Sequence, residues 1–471
     1  MLDLRTWQIN CVAKAIEHYK KEKHFFCLAT PGAGKSVMAA EIGRRLLVQG
    51  KVDYIICLSP SRSICEGMKR TFARVIGKPF SGRIGAVGAS LTYQSLLAGD
   101  HSVLADLVNS RVFVVLDEIH HCSGSEFIQG NAWGKQLIRQ ISSLATYSLS
   151  LSGTPWRTDG DPITFANYGL NHERLNYHFE YGLRDSVNEG VCRIPKVTAL
   201  DVTKITKLSS HSEHSFPSIA EFLAEPENSY TDLLLNEKLI REVLRRGVKR
   251  LSKLRKKAPS AGGLVVASSY KHALILKHIL EEDFSQSAVL VSYKDDQSLE
   301  QIESFKNGAT EWIVSISMIS EGVDIPRLQV CCHLSDIKTE LYFRQVLGRI
   351  IRITNSQSKE CYFFTLAEES LVTFAERLEL EVSGSYIKEI IEKEENAGFV
   401  CLEGADDSVV DGLEDVAPTA STQVDVKYEP TNSGQVDLEE GFAGTTEPPS
   451  LSIEGIRERV IQVLQFSRQL G

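Results

Sequence analysis

The stretch from His24 to Val48, HFFCLATPGAGKSVMAAEIGRRLLV, is the strongest indication of the fold class of this chain. It begins with an apolar run of strand length, turns through small residues, and continues from Ser36 with helical periodicity. A strand, a glycine-rich turn and a helix start predict a phosphate-binding loop, because small residues let backbone N–H groups surround phosphates at the positive helix end. In such a loop Lys35 reaches the β- and γ-phosphates and the Ser36 hydroxyl ligates Mg²⁺. Ala29 stands where the general pattern has its first glycine.

Short apolar runs alternate with amphipathic stretches on both sides of this loop. In the first part of the chain the predicted strands are His24–Leu28, Tyr54–Leu58, Val112–Leu116 and Tyr147–Leu151, and the predicted helices are Ser36–Val48 and Arg62–Val75. The later strands are Gly263–Ala267, Ala288–Ser292, Trp312–Ile316, Val330–Leu334 and Cys361–Thr365, and the later helices are Tyr270–Glu281, Gln297–Phe305 and Thr339–Arg349. Strands separated by helices form parallel sheets covered on both faces, so we expect two tandem α/β domains.

Composition changes along the chain set the expected boundaries. Residues 1–200 form the first domain, 201–260 a connection with a basic helix, 261–395 the second domain, 396–450 a linker, and 451–471 a C-terminal helix. Residues 205–229 are rich in Ser, His, Glu and Pro, which indicates an irregular connection or a small insertion. Residues 451–471 carry Ile453, Ile456, Val460, Ile461 and Leu464 at spacings that predict an amphipathic helix, docked on the protein or on a partner.

The charge distribution refines what the composition excludes. With 471 residues the chain is too long for one core of typical size, and its formal net charge of −9 argues at first against a nucleic-acid partner. Residues 401–450 carry twelve acids against one base, so this segment has a net charge of −11 and the remaining residues +2. The segment is poor in aromatic residues and contains four prolines, which predicts a disordered acidic linker.

The helix predicted after residue 237 is strongly basic. Among residues 238–257 ten Lys and Arg side chains stand against Glu242 alone. Two interpretations stay open, a solvated helix face and a phosphate-contacting surface. The acidic linker is either a passive tether or a competitor of DNA for this helix.

The ten cysteines have no regular spacing, and the N-terminus MLDLRTWQIN lacks the apolar region of a secretory signal. No apolar run reaches the roughly 18 residues that a membrane span needs. We therefore expect reduced thiols in a soluble cytoplasmic protein with no membrane partner.

Acidic residues follow the strand Val112–Leu116. A carboxylate at the C-terminal end of such a strand lies where α/β sheets bind ligands, so Asp117 can hold Mg²⁺ and Glu118 can activate the attacking water. The cluster His120-His121-Cys122 could alternatively indicate a zinc site. This alternative is disfavoured because three adjacent residues cannot all point at one ion from a regular element.

Two arginines close the motif series. Arg349 and Arg352 are three residues apart, a spacing that predicts one helix face presenting guanidinium groups to a phosphate. Two solvated surface arginines would be the interpretation if the motif stood alone.

Taken together and in this order, the motifs resemble those of superfamily 2 helicases and translocases. The resemblance spans roughly residues 3–380 and is nearest to DNA-dependent members with a DEAH-type motif II, such as XPB, UvsW, RadD and the motor subunits of restriction enzymes. It implies two RecA-like domains with ATP and Mg²⁺ between them.

The resemblance also assigns roles to residues. Cofactor-binding positions are Arg5 and Gln8, which resemble the adenine-recognising segment, the loop residues Thr30, Pro31, Gly32, Ala33, Gly34, Lys35 and Ser36, and Gly322 and Asp324 of motif V. Catalytic positions are Lys35, Glu118, Gln345, Arg349 and Arg352, and the Mg²⁺ ligands are Ser36 and Asp117. Nucleic-acid-binding positions are Pro60, Arg62, Thr92, Gln94, Ser268 and Ser269; coupling positions are His120 and, in motif III, Ser152 and Thr154, with Gly153 replacing the usual Ala.

The expected function is an ATP-dependent DNA helicase or translocase, active in repair, recombination or antiphage defence, with the family's usual 3′-to-5′ sense. An RNA helicase remains open, and so does an ATP-gated nucleic-acid-binding subunit that clamps without separating strands. No appended nuclease motif is evident, which favours a motor that gains specificity from partners, one of which could bind the C-terminal helix.

Overall fold

The computed structural model describes residues 3–97, 107, 110–119, 144–153, 167–168, 175–209, 212–292, 297–316, 325–353, 358–383 and 450–462. Within these ranges the helices are α1 Thr6–His18, α2 Lys35–Val48, α3 Arg62–Ile76, α4 Tyr93–Leu97, α5 Leu183–Asn188, α6 Ile219–Ala224, α7 Tyr230–Leu234, α8 Glu237–Arg255, α9 Tyr270–His278, α10 Ser298–Asn307, α11 Glu340–Ile350 and α12 Glu369–Ser383. The strands are β1 His24–Ala29, β2 Tyr54–Ser59, β3 Gly88–Thr92, β4 Val112–Leu116, β5 Ala145–Ser152, β6 Asn167–Tyr168, β7 Leu175–Asn176, β8 Phe179–Tyr181, β9 Ile194–Ser209, β10 Ser212–Phe216, β11 Gly262–Ala267, β12 Ala288–Val291, β13 Trp312–Ser315, β14 Leu328–Leu334, β15 Glu360–Leu366 and β16 Ser450–Gln462.

The first sheet has six parallel strands in the order β3-β2-β4-β5-β1-β8. Its central strand β4 is buried at every residue, as expected for a sheet covered on both faces. Because the strands are parallel, their carboxyl ends meet at one edge. The phosphate-loop sequence follows β1 at that edge, and Asp117 follows β4.

The second sheet contains a parallel core in the order β9-β15-β14-β11-β13-β12. The predicted pair of α/β domains with parallel sheets is therefore confirmed. The predicted boundary at residue 200 differs from the strand pairing, because β9 begins at Ile194 and joins the second sheet over Glu360–Leu366.

The segment predicted to be an irregular connection, 205–229, contains regular elements in its described residues, 205–209 and 212–229. β9 continues to Ser209 and pairs with the antiparallel β10, and only Pro217 and Ser218 separate β10 from α6. Ser218 caps α6 by accepting a hydrogen bond from Glu221 N at 3.1 Å. The polar residues that indicated an irregular connection therefore belong to an antiparallel strand pair and to a helix cap.

The amphipathic helix predicted over residues 451–471 is wrong for residues 451–462, which belong to the strand β16. This strand pairs antiparallel with β9 from Ser450 opposite Leu208 to Gln462 opposite Lys196. Ile453 and Ile461 are buried while Val460 is 54% exposed, so the apolar residues are distributed as strand packing requires. Tertiary pairing overrides the helical spacing because β9 offers an edge to a segment rich in β-branched residues. Residues 463–471 lie outside the described ranges.

Gly455 is the residue that lets β16 follow β9 closely. Its φ is +54°, and a Cβ there would lie 2.2 Å from Thr203 Oγ1. The same hydroxyl donates a 2.8 Å hydrogen bond to the Glu454 carbonyl. A side chain at position 455 would therefore be strained and would collide with the neighbouring strand.

The basic helix is confirmed as α8, but much of its charge is already paired. Arg241 pairs with Glu237 and Asp283, Arg245 with Glu242, and Arg246 with both Glu242 and Glu458 of β16. Arg250 lies over the ring of Tyr362 at 4.1 Å, and Arg255 donates to the carbonyls of Ala261 and Ala309. The arginines of α8 thus stabilise the second domain, which leaves less of the helix for phosphates. The acidic linker lies outside the described residues.

Candidate nucleotide and nucleic-acid sites

The glycine-rich turn has the backbone that a phosphate loop needs. Gly32 and Gly34 have φ of +83° and +99°, and Gly34 is the N-cap of α2. Lys35 is 9% exposed, and its Nζ donates to the Ala29 carbonyl at 3.1 Å. The turn therefore presents a buried ammonium group at the positive end of a fourteen-residue helix.

Glu118 forms an ion pair with Lys35 at the carboxyl edge of the first sheet. Lys35 Nζ lies 3.0 Å from Glu118 Oε1, and the backbone N–H of Gly153 donates to Glu118 Oε2 at 3.2 Å. Glu118 has a φ of +49°, a rare conformation for a residue with a side chain. Two donors and a strained backbone thus fix this carboxylate beside the phosphate loop.

The oxygen donors expected for Mg²⁺ fit a hard cation in kind. Ser36 is half-buried in the first turn of α2, and Asp117 is 7% exposed directly after β4. A hydroxyl and a carboxylate are suitable partial ligands for Mg²⁺, which usually keeps several waters and substrate phosphate oxygens in its shell. The described residues contain no group of three or more His, Cys, Asp and Glu side chains that could hold a metal ion.

The residues expected to recognise adenine lie against the phosphate loop. Arg5 Nη1 donates to the Ala33 carbonyl at 2.7 Å, and Gln8 Nε2 donates to the Gly34 carbonyl at 3.0 Å. The Arg5 N–H in turn donates to Gln8 Oε1 at 2.9 Å. This side-chain pair therefore couples the start of α1 to the conformation of the loop.

The second domain reaches the same loop through the end of α11. A Cβ at Gly348 would lie 2.7 Å from Pro31 Cβ, and a Cβ at Gly32 would lie 2.8 Å from Arg352 Cγ. The two predicted elements, far apart in sequence, are therefore in contact. Gln345 and Arg349 lie on the same helix, both half-buried.

One geometric prediction for this region is wrong. Arg349 and Arg352 do not share a helix face, because α11 ends at Ile350 and Arg352 lies in an extended bridge with Cys192. The three-residue spacing indicated a continuous helix, but the chain leaves the helix to pair with Cys192. Arg352 nevertheless packs on the phosphate loop, against Gly32.

Two of the predicted backbone-gripping motifs lie side by side. Ser59 and Thr92 are register partners at the carboxyl ends of β2 and β3, so the sites at Pro60 and Gln94 share one edge. Arg62 begins α3 and is exposed, and Gln94 is exposed in α4. In the sheet, β2 and β3 lie on the far side of β4 from β1. Arg62 and Gln94 therefore lie at the same sheet edge as the phosphate loop, beyond Asp117.

The third such motif follows β11 in the second domain. Ser268 Oγ lies 2.8 Å from His272 Nδ1, and Ser269 caps α9 by accepting from His272 N at 3.2 Å. His272 is fully buried, and burial lowers its pKa to about 4. The ring is therefore neutral at pH 7 and holds the Ser268 hydroxyl in place.

Thr154, His120, Gly322 and Asp324 lie outside the described residues, as does the zinc alternative at His120-His121-Cys122. Ser152 is fully buried at the end of β5.

Three residues that the sequence reading missed also belong to this region. Tyr93 donates its hydroxyl to the Asp117 carbonyl at 2.9 Å, Cys192 Sγ lies 3.8 Å from the Pro31 carbonyl oxygen, and Arg193 is fully buried beside the end of α11. Tyr93 stands between the predicted positions Thr92 and Gln94, and this neighbourhood is the signal that could have found it. Cys192 and Arg193 form no local pattern that points to a nucleotide site.

The geometry defines a nucleotide-binding α/β protein whose phosphate loop touches a second parallel-sheet domain. The family model of the type III restriction enzyme res subunit matches residues 1–157, and that of the helicase conserved C-terminal domain matches residues 246–354. The chain thus carries, in this order, the two motor domains that superfamily 2 helicases and translocases share, a class whose motor domains hydrolyse ATP. Both RecA-like domains expected from the sequence are confirmed.

The proteins similar to this chain include curated relatives and a solved structure. An uncharacterized protein of Mycobacterium leprae is 28% identical over 394 residues, covering 80% of this chain and 64% of that protein. The DNA 3′-5′ translocase XPB2 of Sulfurisphaera tokodaii is 24% identical over 375 residues, covering 74% and 79%. The structure of Dbp5 of S. cerevisiae bound to RNA and ADP BeF3 has a TM-score of 0.51 at 12% identity, covering 82% and 93%. The chain thus spans less than two thirds of the length of the mycobacterial relative.

No helix of the described ranges is long and apolar enough to cross a membrane.

Proposed function

We propose that this chain is an ATP-driven motor on DNA, in which hydrolysis between the two sheets moves the protein along a strand or remodels a DNA structure. The observation that carries the proposal is the contact of α11 with the phosphate loop. Gly348 meets Pro31 and Arg352 meets Gly32, so residues of both domains surround one phosphate-binding turn.

The residues divide the chemistry of ATP hydrolysis between them. Lys35 withdraws from Glu118 to neutralise the β- and γ-phosphate oxygens, and Glu118 is then available to orient the attacking water and accept its proton. Arg349 and Arg352 stabilise negative charge from the second domain, a contribution that reaches about 10³–10⁵ in rate for arginine fingers. Mg²⁺, held by Ser36 and Asp117, would neutralise phosphate charge.

Movement follows from the same geometry. Closure of the domains on ATP brings α11 onto Pro31, and opening after hydrolysis releases it. Backbone contacts at Pro60, Arg62, Thr92 and Gln94 in the first domain and at Ser268 and Ser269 in the second then shift relative to each other. DNA is favoured as the track by the match to the restriction-enzyme res subunit and by the relative named a DNA translocase.

An ATPase assay with single-stranded DNA, duplex DNA and RNA tests the proposal. We expect DNA to stimulate hydrolysis, and Lys35→Ala and Glu118→Gln to abolish it; Glu118→Gln should still bind ATP because the substitution preserves shape. A triplex-displacement assay measures translocation and a forked-duplex assay measures strand separation. Stimulation by RNA alone would replace DNA with RNA as the partner, and hydrolysis without movement on any substrate would favour an ATP-gated clamp.

A further inference from the structure

The chain crosses from the first domain to the second at Cys192 and Arg193. Arg193 is 0% exposed, and burial lowers its pKa. Burying a guanidinium group is costly unless hydrogen bonds replace its hydration. The position of those hydrogen bonds therefore indicates what the charge is kept for.

The guanidinium of Arg193 binds backbone carbonyls of the second domain. Its Nη1 donates to Leu328 O and to Ile350 O, each at 3.0 Å, and its Nη2 donates to Pro326 O at 3.4 Å. Ile350 is the last residue of α11, where carbonyls lack partners within the helix and carry the negative end of its dipole. Cys192 and Arg193 form the connector between the two domains. Arg193 thus acts as a C-terminal cap, supplied from this connector, for the helix that contains Arg349.

The backbone beside Arg193 binds the same helix end and the phosphate loop. Arg193 N donates to Ile351 O at 2.6 Å, and Cys192 forms an isolated antiparallel bridge with Arg352. Cys192 Sγ faces the Pro31 carbonyl at 3.8 Å. Cys192 therefore contacts the phosphate loop on one side. On the other side, Cys192 and Arg193 bind the backbone of Ile351 and Arg352, just after the helix that carries Arg349.

We propose that Arg193 is a positioning residue for ATP hydrolysis: it locks the end of α11 to the connector, so that Arg349 and Arg352 approach the phosphate loop in register. The inference rests on the proposed function, which makes these arginines the fingers. An arginine is required because its planar fork serves separate carbonyls, whereas the ammonium group of lysine is a single point of charge.

Arg193→Lys and Arg193→Gln test this inference, with Arg327→Lys as the matched control. Arg327 is also buried and also donates to three carbonyls, those of Ser260, Phe305 and Thr310, but these lie away from the phosphate loop. We expect both Arg193 variants to lower the DNA-stimulated kcat at least tenfold while the Kd for a fluorescent ATP analogue changes less than twofold. Arg327→Lys should lower the Tm comparably and leave kcat within twofold. If Arg193→Gln does not fold, Arg193→Lys, which keeps the charge, carries the test.

A double-mutant cycle separates positioning from general destabilisation. If Arg193 acts through the fingers, adding Arg193→Lys to the Arg349→Ala/Arg352→Ala double variant should make that variant no slower. Multiplicative losses, a wild-type kcat in Arg193→Lys, or an equal loss in Arg327→Lys would overturn the inference. Full hydrolysis in both Arg349→Ala and Arg352→Ala would instead refute the finger assignment of the proposed function, which makes the two failures distinguishable.

Discussion

Replacing Gly348 with alanine should separate activity from stability. A Cβ at position 348 would lie 2.7 Å from Pro31 Cβ and 3.2 Å from Pro31 Cγ. Carbon atoms pack at about 3.5–4.0 Å, so the added methyl must push α11 and the phosphate loop apart by about 1 Å. Neither side can yield by rotating a flexible side chain, because one atom is a Cβ and the other belongs to a proline ring.

The substitution is expected to change stability and catalytic rate in opposite directions. Alanine is favoured over glycine in a helix interior by about 1 kcal/mol, so the second domain should unfold at an equal or higher temperature. A displacement of about 1 Å in a catalytic constellation costs about 10²-fold in rate, so the DNA-stimulated kcat should fall by about that factor. Gly348→Ala is therefore expected to be stable and slow.

Steady-state ATPase kinetics and differential scanning calorimetry measure the two effects. Gly67→Ala is the matched control, because Gly67 lies within α3 and a Cβ there would meet nothing within 4 Å. The control should gain stability and keep its kcat. A Gly348→Ala enzyme that hydrolyses ATP at the wild-type rate would refute the claim that this contact assembles the active cleft.

Two further predictions concern charge. Arg62 of α3 is exposed and forms no ion pair with any residue in the described part of the chain, so Arg62→Gln should flatten the log–log salt dependence of DNA binding by about one, the loss expected for one phosphate contact. The paired Arg245→Gln in α8 should leave that slope unchanged in the same titration, and an equal effect would contradict the distinction. His333 is fully buried, and burial lowers its pKa to about 4 from the ordinary value of 6.5. As the pH falls, His333 therefore binds a proton in the unfolded chain before it does so in the folded protein. Its contribution to the free energy of unfolding is fully present above pH 6.5 and is lost as the pH falls towards 4. The loss is about 3 kcal/mol by urea unfolding and should be smaller in His333→Phe; an unchanged pH dependence in that variant would contradict the assignment.

The sequence was sufficient where structure is local. The strand before the phosphate loop, the loop itself and α2 follow from apolar runs and glycine positions, and β4 was predicted with its observed bounds. The contact between Gly348 and Pro31 was implied only by resemblance, since no local pattern joins residues 317 positions apart.

The sequence-based predictions were wrong or silent where the structure depends on contacts between residues far apart in the chain. Ile453, Ile456 and Val460 have helical spacing, yet the open edge of β9 makes their segment a strand. Arg193 is another example, because an isolated arginine in a sequence predicts an exposed side chain. Its burial depends on carbonyls that belong to β14 and to the end of α11.

The placement of β16 has a consequence for biosynthesis. The edge of β9 that β16 covers stays open until residues 450–462 have been made, well after Leu366 completes β15. At about 5–20 residues per second, the intervening segment of roughly eighty residues takes about 4–16 s to synthesise. During that interval the nascent chain offers a long unpaired strand edge, the feature that promotes aggregation, and a chaperone that shields it would raise the yield of folded protein.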